Sequence, residues 1–267
     1  MAVSGRVALW QQHWDSGSMA QFYVKKPHPK LQEHLDQYIR GKTKAKILLP
    51  MCGNSFDIYN FGDMGHEVVG IECSALAIRS FYGKHNLSFT KEPCPDVQGT
   101  LYQSKDKTYK IYCCDFFDFK PSVEANFDVI VDFGAMGALT RGELQSYADL
   151  MKRLTAPDCR HILESFVYDV NKYPESQPIC LTLELLRQLF GHDYIVEKID
   201  EGPDPYADDM LHELTNGKFA EEFKPVVLSP FSSADRITYV KFVDHYFLCG
   251  WGKEMGVKSS PSNVWNL

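Results

Sequence analysis

The chain has 267 residues, 44% of them hydrophobic and 24% charged, which is enough apolar material to exclude global disorder. Its length favours one large domain, because α/β folds often exceed 200 residues as a single unit. The 28 basic and 35 acidic residues give a net charge of −7. This balance argues against nucleic acid as the main partner, since a phosphate backbone attracts basic surfaces. We therefore expect a small-molecule partner.

Targeting signals and metal motifs are missing from the sequence. No stretch approaches the roughly 18 apolar residues of a membrane span. The segment Met1–Trp10 lacks the basic and apolar regions of a secretory signal. Eight cysteines without such a signal indicate reduced thiols, and no C-x-x-C motif with matched partners suggests a metal site. We expect a cytoplasmic monomer without a membrane partner or a bound metal.

Short β-branched runs alternate with helical patterns, which predicts a Rossmann-like α/β fold around a mostly parallel sheet. The predicted helices are Phe56–Met64, a helix capped by Ser74, Glu143–Leu154, and Leu181–Phe190 ended by a left-handed Gly191. The predicted strands are Lys46–Leu49, Val68–Ile71, Tyr109–Cys114, Phe127–Asp132, His161–Tyr168, Tyr194–Lys198 and Tyr239–Cys249, the last two as a possible antiparallel pair.

One long segment interrupts this pattern. Asp200–Arg236 is rich in Pro, Asp and Ser, lacks strong periodicity and exceeds an ordinary connection. We predict an insertion at about 200–236 within a domain spanning 41–250, with a mobile polar tail at 251–267. The insertion is either a functional lid or a mobile segment, and the sequence does not separate the two.

Three predicted strands end in residues suited to a nucleoside. Gly53 follows the first strand, where a missing Cβ lets the backbone approach a ligand, although a plain turn would look the same. Glu72 follows Gly53 by 19 residues and could accept ribose hydroxyls or simply begin a helix. Asp115-Phe116 could hold an adenine through its amino group and ring, or form a solvent turn. No full G-x-G-x-x-G is present, which disfavours a nicotinamide-dependent oxidoreductase.

Five stretches of the sequence are specific enough to suggest a family. They are Trp10-Gln11-Gln12-His13-Trp14-Asp15-Ser16-Gly17, Leu49-Pro50-Met51-Cys52-Gly53, Gly65-His66-Glu67-Val68-Val69-Gly70-Ile71-Glu72, Asn86-Leu87-Ser88 and Tyr112-Cys113-Cys114. Through them the sequence resembles the thiopurine S-methyltransferase family from about Trp10 to Cys249. The resemblance implies a seven-stranded class I methyltransferase fold with helices on both faces of the sheet. It also implies S-adenosylmethionine as donor, S-adenosylhomocysteine as product and a small thiol as acceptor.

The same resemblance suggests individual roles. Residues 1–40 would be a segment that covers the cofactor, through Trp10 and Trp14. An aromatic that contacts the acceptor corresponds to Phe22, or to Gln21 with a one-residue offset. The remaining cofactor-binding positions are Met51, Gly53, Glu72 for the ribose, and Asp115 and Phe116 for the adenine.

The chain departs from the family at one position. The vertebrate enzymes carry Asp-Arg-Gly-Ala-Leu where this chain has Asp132-Phe133-Gly134-Ala135-Met136. We place Phe133 among the cofactor-binding residues. Because Phe133 stands where the family has arginine, the fixed positive charge near the acceptor is missing, and a thiopurine is less strongly indicated as the acceptor. Asp132 is our candidate catalytic residue, to orient the acceptor or take its proton, although it could equally cap the following loop.

Two other functions remain open from sequence. A relative of the same family could use halide, hydrogen sulfide, or a selenium or tellurium compound as acceptor. Alternatively, the chain could be a catalytically silent protein that binds the cofactor or a partner.

Overall fold

The computed structural model describes residues 5–17, 19, 25–167, 178–202 and 236–244, with side chains up to residue 200 except at 166 and 167. The helices are α1 Gly5–Asp15, α2 Pro29–Glu33, α3 Leu35–Ile39, α4 Phe56–Asp63, α5 Ala75–Lys84, α6 Leu144–Leu154 and α7 Leu183–Phe190. The strands are β1 Lys46–Pro50, β2 Glu67–Glu72, β3 Phe89–Cys94, β4 Gly99–Ser104, β5 Tyr109–Cys113, β6 Phe127–Phe133, β7 Thr155–Val167, β8 Tyr194–Gly202 and β9 Arg236–Asp244.

The strands form one sheet in the order β3-β4-β5-β2-β1-β6-β7-β9-β8. Strands β5, β2, β1, β6 and β7 are parallel, and β9 returns antiparallel between β7 and β8. The predicted seven-stranded, mostly parallel sheet is therefore confirmed, as is the antiparallel final pair. The hairpin of β3 and β4 extends it to nine strands by pairing antiparallel with β5.

Helices cover both faces of the sheet, as predicted. Successive residues of a strand point to opposite faces, and in β1 Leu48 joins one apolar cluster while Ile47 and Leu49 join the other. The first cluster includes buried residues of α6 and α7, and the second includes buried residues of α3, α4 and α5. The central strands are thus buried on both sides, which explains their nearly continuous apolar sequence.

The far end of the sheet corrects several predicted boundaries. Strand β7 begins at Thr155, six residues before the predicted start at His161. Strand β8 continues to Gly202, and Asp200 pairs with Tyr239 of β9. The first residues of the predicted insertion, from Asp200 to Gly202, therefore belong to the sheet. Strand β9 begins at Arg236 and its description ends at Asp244. Residues 203–235 and 245–249 lie outside the described part of the chain.

The prediction of a left-handed cap at Gly191 was wrong. Gly191 has φ −65°, and its N–H donates to the Arg187 carbonyl at 2.8 Å, as in a continuing helix. The reason for glycine is space, because an added Cβ would lie 2.3 Å from that same carbonyl oxygen. Among the described residues, no helix is both long and apolar enough to cross a membrane.

Candidate active site

The carboxyl ends of β1, β2 and β5 meet at one edge of the sheet. The chain reaches β2 on one side of β1 and β6 on the other, so the direction of winding changes at β1. Ligands of open α/β sheets bind in the crevice that such a change opens. The structure brings Gly53, Glu72 and Asp115 together at this edge, as their positions after three strands predicted.

The turn after β1 is tight and closely covered. Met51 and Gly53 both have left-handed backbone conformations, with φ of 44° and 55°. For Met51 this is a strained conformation of the kind that functional loops often contain. An added Cβ on Gly53 would lie 3.1 Å from Cζ2 of the Trp14 indole, so only glycine fits comfortably beneath that ring.

Glu72 ends β2 with a buried and firmly held carboxylate. Its Oε2 accepts the Gly53 N–H at 2.8 Å, and its Oε1 accepts the Ser74 N–H at 2.7 Å. Burial raises the pKa of Glu72, while these two backbone bonds act in the opposite direction. Ser74 also caps α5, as predicted, by accepting the Ala77 N–H at 3.2 Å. The helix start and the strand end therefore fix one carboxylate together.

Asp115 follows β5 and begins a 3-10 turn, where its side chain accepts the Phe117 N–H at 3.1 Å. The same carboxylate pairs with Arg6, whose Nε lies 2.9 Å from Glu143 Oε1. The expected ring contact of Phe116 with an adenine needs correction. Its ring is 1% exposed and packs in the core 4.8 Å from the Tyr147 ring, so the half-buried Phe117 is the ring beside Asp115.

Helix α1 lies across these strand ends. Gln11 Nε2 donates to the Cys73 carbonyl at 3.2 Å, and the Arg6 guanidinium lies 4.9 Å from the centre of the Phe117 ring. Trp14 covers Gly53, and the half-buried Trp10 lies beside the ring of His13. These contacts place the described part of the N-terminal segment over the edge where the cofactor-binding residues were predicted.

Asp132 lies beneath the site rather than in it. The residue is 0% exposed, and its carboxylate accepts the Met136 N–H at 3.0 Å and the Tyr147 hydroxyl at 2.7 Å. His161 Nε2 lies 3.7 Å away. This geometry matches the loop-capping alternative of the two roles that the sequence left open.

Phe133 has neighbours that the sequence did not reveal. It pairs in register with Glu164 of β7, and its ring meets the His28 ring edge-on at 4.6 Å. His28 Nε2 lies 3.3 Å from Glu164 Oε1. Sequence reasoning missed this pair because His28 and Glu164 are far apart in the chain and belong to no motif. Phe22 and Gln21, the candidate acceptor contacts, lie outside the described residues.

Thiols surround the Glu72 carboxylate. Burial raises the pKa of Cys113 to about 11 and places the pKa of Cys73 and Cys52 well above the ordinary thiol value, with the Glu72 charge adding to each shift. None of the seven cysteines within the described residues forms a disulfide. Their raised pKa values leave Cys52, Cys73 and Cys113 as neutral thiols at neutral pH.

A cluster of Glu33, His34 and Asp200 could offer three ligand atoms to a metal ion. However, Lys30 Nζ lies 2.5 Å from Asp200 Oδ2 and 2.8 Å from Glu33 Oε2. The ammonium group already supplies the positive charge that these carboxylates need.

Comparison with known proteins agrees with this geometry. The family model described as thiopurine S-methyltransferase matches residues 6–222. The thiopurine S-methyltransferase of Lycaon pictus is 33% identical over 195 residues, covering 72% of this chain and 79% of that relative.

Solved structures share the fold at low identity. A Burkholderia thailandensis 1,6-didemethyltoxoflavin-N1-methyltransferase with bound S-adenosylhomocysteine has a TM-score of 0.54 at 12% identity, covering 91% of this chain and 92% of that one. The [4+2]-cyclase SpnF has a TM-score of 0.61 at 12% identity, covering 91% and 98%.

The strand order and these likenesses define the class I fold of S-adenosylmethionine-dependent methyltransferases. The extent of the family match then fixes the subgroup: the chain belongs to the thiopurine S-methyltransferase family, and S-adenosylmethionine is its methyl donor. The residues fit this cofactor, because a buried carboxylate, a glycine turn and a second acid lie together at the strand ends.

Proposed function

We propose that this chain transfers the methyl group of S-adenosylmethionine to the sulfur atom of a small thiol. The observation that carries the proposal is the Glu72 carboxylate, held by the backbone N–H groups of Gly53 and Ser74 at the carboxyl edge of the sheet. The names of the curated relatives support a sulfur acceptor. When bound, the cofactor supplies an electrophilic methyl group on a sulfonium.

Each residue has a part in holding the reactants. Glu72 would accept the ribose hydroxyls, and Asp115 the adenine amino group. Met51 and Gly53 would form the floor of the cleft, and α1 would exclude water through Trp10 and Trp14. Methyl transfer to a soft nucleophile depends mainly on alignment and desolvation, so rigid positioning of this kind is the expected contribution of the protein.

The role of Asp132 follows from its burial. Its bonds to the Met136 N–H and the Tyr147 hydroxyl hold the loop that begins directly after Phe133, the last residue of β6. We propose that Asp132 orients the acceptor through this loop rather than by touching it.

A screen of acceptors with methyl-labelled donor tests the proposal. We expect labelled methyl sulfides from small thiols, identified by mass spectrometry, and S-adenosylhomocysteine in equal amount. Thiopurines are screened among the thiols as a separate group, because Phe133 replaces the family's arginine. Hydrogen sulfide, halides and selenium or tellurium compounds form the comparison arm. Methylation of the comparison acceptors alone would refute the proposal that a small thiol is the methyl acceptor. Binding of S-adenosylhomocysteine with no acceptor turned over would favour a catalytically silent protein.

We further propose that the protein acts as a cytoplasmic monomer. The free cysteines favour a reducing compartment. Light scattering during size-exclusion chromatography should give the mass of a single 30.5 kDa chain. A dimer mass would contradict the oligomeric state without affecting the proposed reaction.

A further inference from the structure

A histidine and a carboxylate lie beside Phe133 at the acceptor side of the sheet. Phe133 and Glu164 are register partners at the carboxyl ends of the parallel strands β6 and β7. Both therefore point to the same face, and His28 packs over them from the N-terminal cap of α2. The Glu164 side chain is 12% exposed, so the carboxylate is nearly buried.

His28 connects α2 to Glu164 through its two ring nitrogens. Nδ1 accepts the Lys30 N–H at 3.2 Å and thereby caps α2. Nε2 lies 3.3 Å from Glu164 Oε1, within ion-pair distance. The ring therefore holds the carboxylate in place between the start of α2 and β7.

The charge around this pair is negative. The His28 backbone N–H donates to Asp57 Oδ1 at 3.0 Å, so a second buried carboxylate lies behind the ring. Burial raises the pKa of Asp57, and the charge of Glu164 raises it further. In the part of the chain that the structure describes, neither carboxylate forms an ion pair with a lysine or arginine. Phe133 contributes an apolar ring and no charge.

We infer that Glu164, oriented by His28, is the acceptor-recognition group, and that it selects small thiols bearing a positive charge or a neutral hydrogen-bond donor over anionic thiols. A fixed carboxylate attracts an ammonium, accepts a hydroxyl proton in a hydrogen bond and repels another carboxylate. This inference rests on the proposed methyl transfer, because it assigns the acceptor of that same site.

Three thiols that share the HS–CH2–CH2– unit test it: 2-aminoethanethiol, 2-mercaptoethanol and 3-mercaptopropionate. They differ in thiol acidity, so the measured quantity is the change in relative kcat/KM between the unaltered chain and Glu164→Gln. Gln keeps an oxygen beside His28 Nε2 but removes the charge. We expect the ratio of cationic to anionic turnover to fall at least tenfold, with unchanged affinity for S-adenosylhomocysteine.

Two further variants make the test specific. Glu184→Gln removes an equal charge from the exposed face of α7, and we expect no change in the ratio. His28→Asn can still cap α2 through its side-chain oxygen but is too short to place a nitrogen where Nε2 lies beside Glu164. For His28→Asn we expect a smaller fall of the ratio than for Glu164→Gln.

An unchanged ratio in Glu164→Gln would overturn the inference and leave the pair as an anchor of α2. Binding of the three thiols, measured by saturation-transfer NMR with S-adenosylhomocysteine present, separates this from failure of the proposed function. A charge-dependent binding order that Glu164→Gln abolishes, without any turnover, would support the inference and refute the methyl transfer. Absence of binding by all three thiols would overturn the inference.

Discussion

At the scale of the residue, Glu72 links three parts of the chain. Its carboxylate accepts N–H groups from the turn after β1 and from the start of α5 while it ends β2. Such a group is costly to bury, because desolvation disfavours its charged form. The two backbone N–H groups compensate part of this cost, and in the proposed function the ribose hydroxyls would be further donors to the same carboxylate.

Replacing Glu72 with alanine should weaken cofactor binding. Loss of charge-assisted hydrogen bonds to the ribose should cost about 1.5–3 kcal/mol. That cost corresponds to roughly ten- to 150-fold in the dissociation constant. Titration calorimetry with S-adenosylhomocysteine measures it, and thermal unfolding establishes that the variant is folded. Glu92→Ala, on the exposed β3, is the matched control and should bind normally. A folded Glu72→Ala chain with unchanged affinity would remove Glu72 from the cofactor site.

At the scale of the element, α1 is held by polar contacts more than by apolar burial. Val7 is its single buried residue, whereas Arg6 reaches both Asp115 and Glu143. Glu143 is itself fixed by a capping box with Thr140. The helix therefore depends on one guanidinium that connects it to two other elements.

Arg6→Met should release α1 from the sheet edge while keeping an apolar stem of similar length. Removing one partner of a buried ion pair costs about 3 kcal/mol or more of stabilising free energy. Because this pair is partly exposed, we expect the free energy that holds α1 in place to fall by roughly 2–3 kcal/mol. Amide hydrogen exchange over residues 5–15 should accelerate by roughly thirty- to 150-fold. Arg153→Met, on the exposed face of α6, should leave that exchange unchanged. Equal protection of α1 in both variants would show that Arg6 does not hold the helix.

At the scale of the whole molecule, the edge of the sheet opposite the site is held by a second ionic cluster. Glu124 Oε1 lies 2.6 Å from Lys46 Nζ of β1, and its Oε2 accepts the Tyr112 hydroxyl of β5 at 2.9 Å. Lys110 joins it from β5. Burial alone would raise the pKa of Glu124, but its bond to Lys46 and the charge of Lys110 leave it below its ordinary value.

This lowered pKa predicts a pH dependence of stability. The stabilisation by Glu124 is present above the unfolded pKa of about 4.5 and is lost as pH falls through the lower folded value. Glu124→Gln should therefore lower the free energy of unfolding by about 1–2 kcal/mol at pH 7. In urea titrations, the difference from the unaltered chain should shrink as pH falls below 4.5. A difference that stays constant with pH would contradict this origin, and Glu184→Gln should show almost none.

The sequence predicted correctly those strands that are buried on both faces of the sheet. Strands β1, β2, β5 and β6 carry nearly continuous apolar runs, so their positions in the sequence could be predicted. The hairpin was missed because β3 exposes Lys91, Glu92 and Pro93 and shows no apolar alternation. Phe116 was misjudged because its sequence position could not show which way its ring points.

The candidate site divides in the same way. Gly53 and Glu72 could be predicted because a fixed spacing between two parallel strands determines their meeting. The Arg6–Asp115 and His28–Glu164 pairs could not, because they arise from tertiary packing between distant segments.

The buried thiols around Glu72 have a consequence for the longevity of the protein. A thiol attacks an electrophilic methyl group effectively only as its thiolate. With a pKa of about 11, Cys113 is ionised in roughly one molecule in ten thousand at pH 7, and Cys73 in fewer. Burial is the main cause of these raised pKa values, and the negative charge of Glu72, which is suited to hold the donor's ribose, adds to it. The same carboxylate thereby helps to protect the protein from alkylating itself.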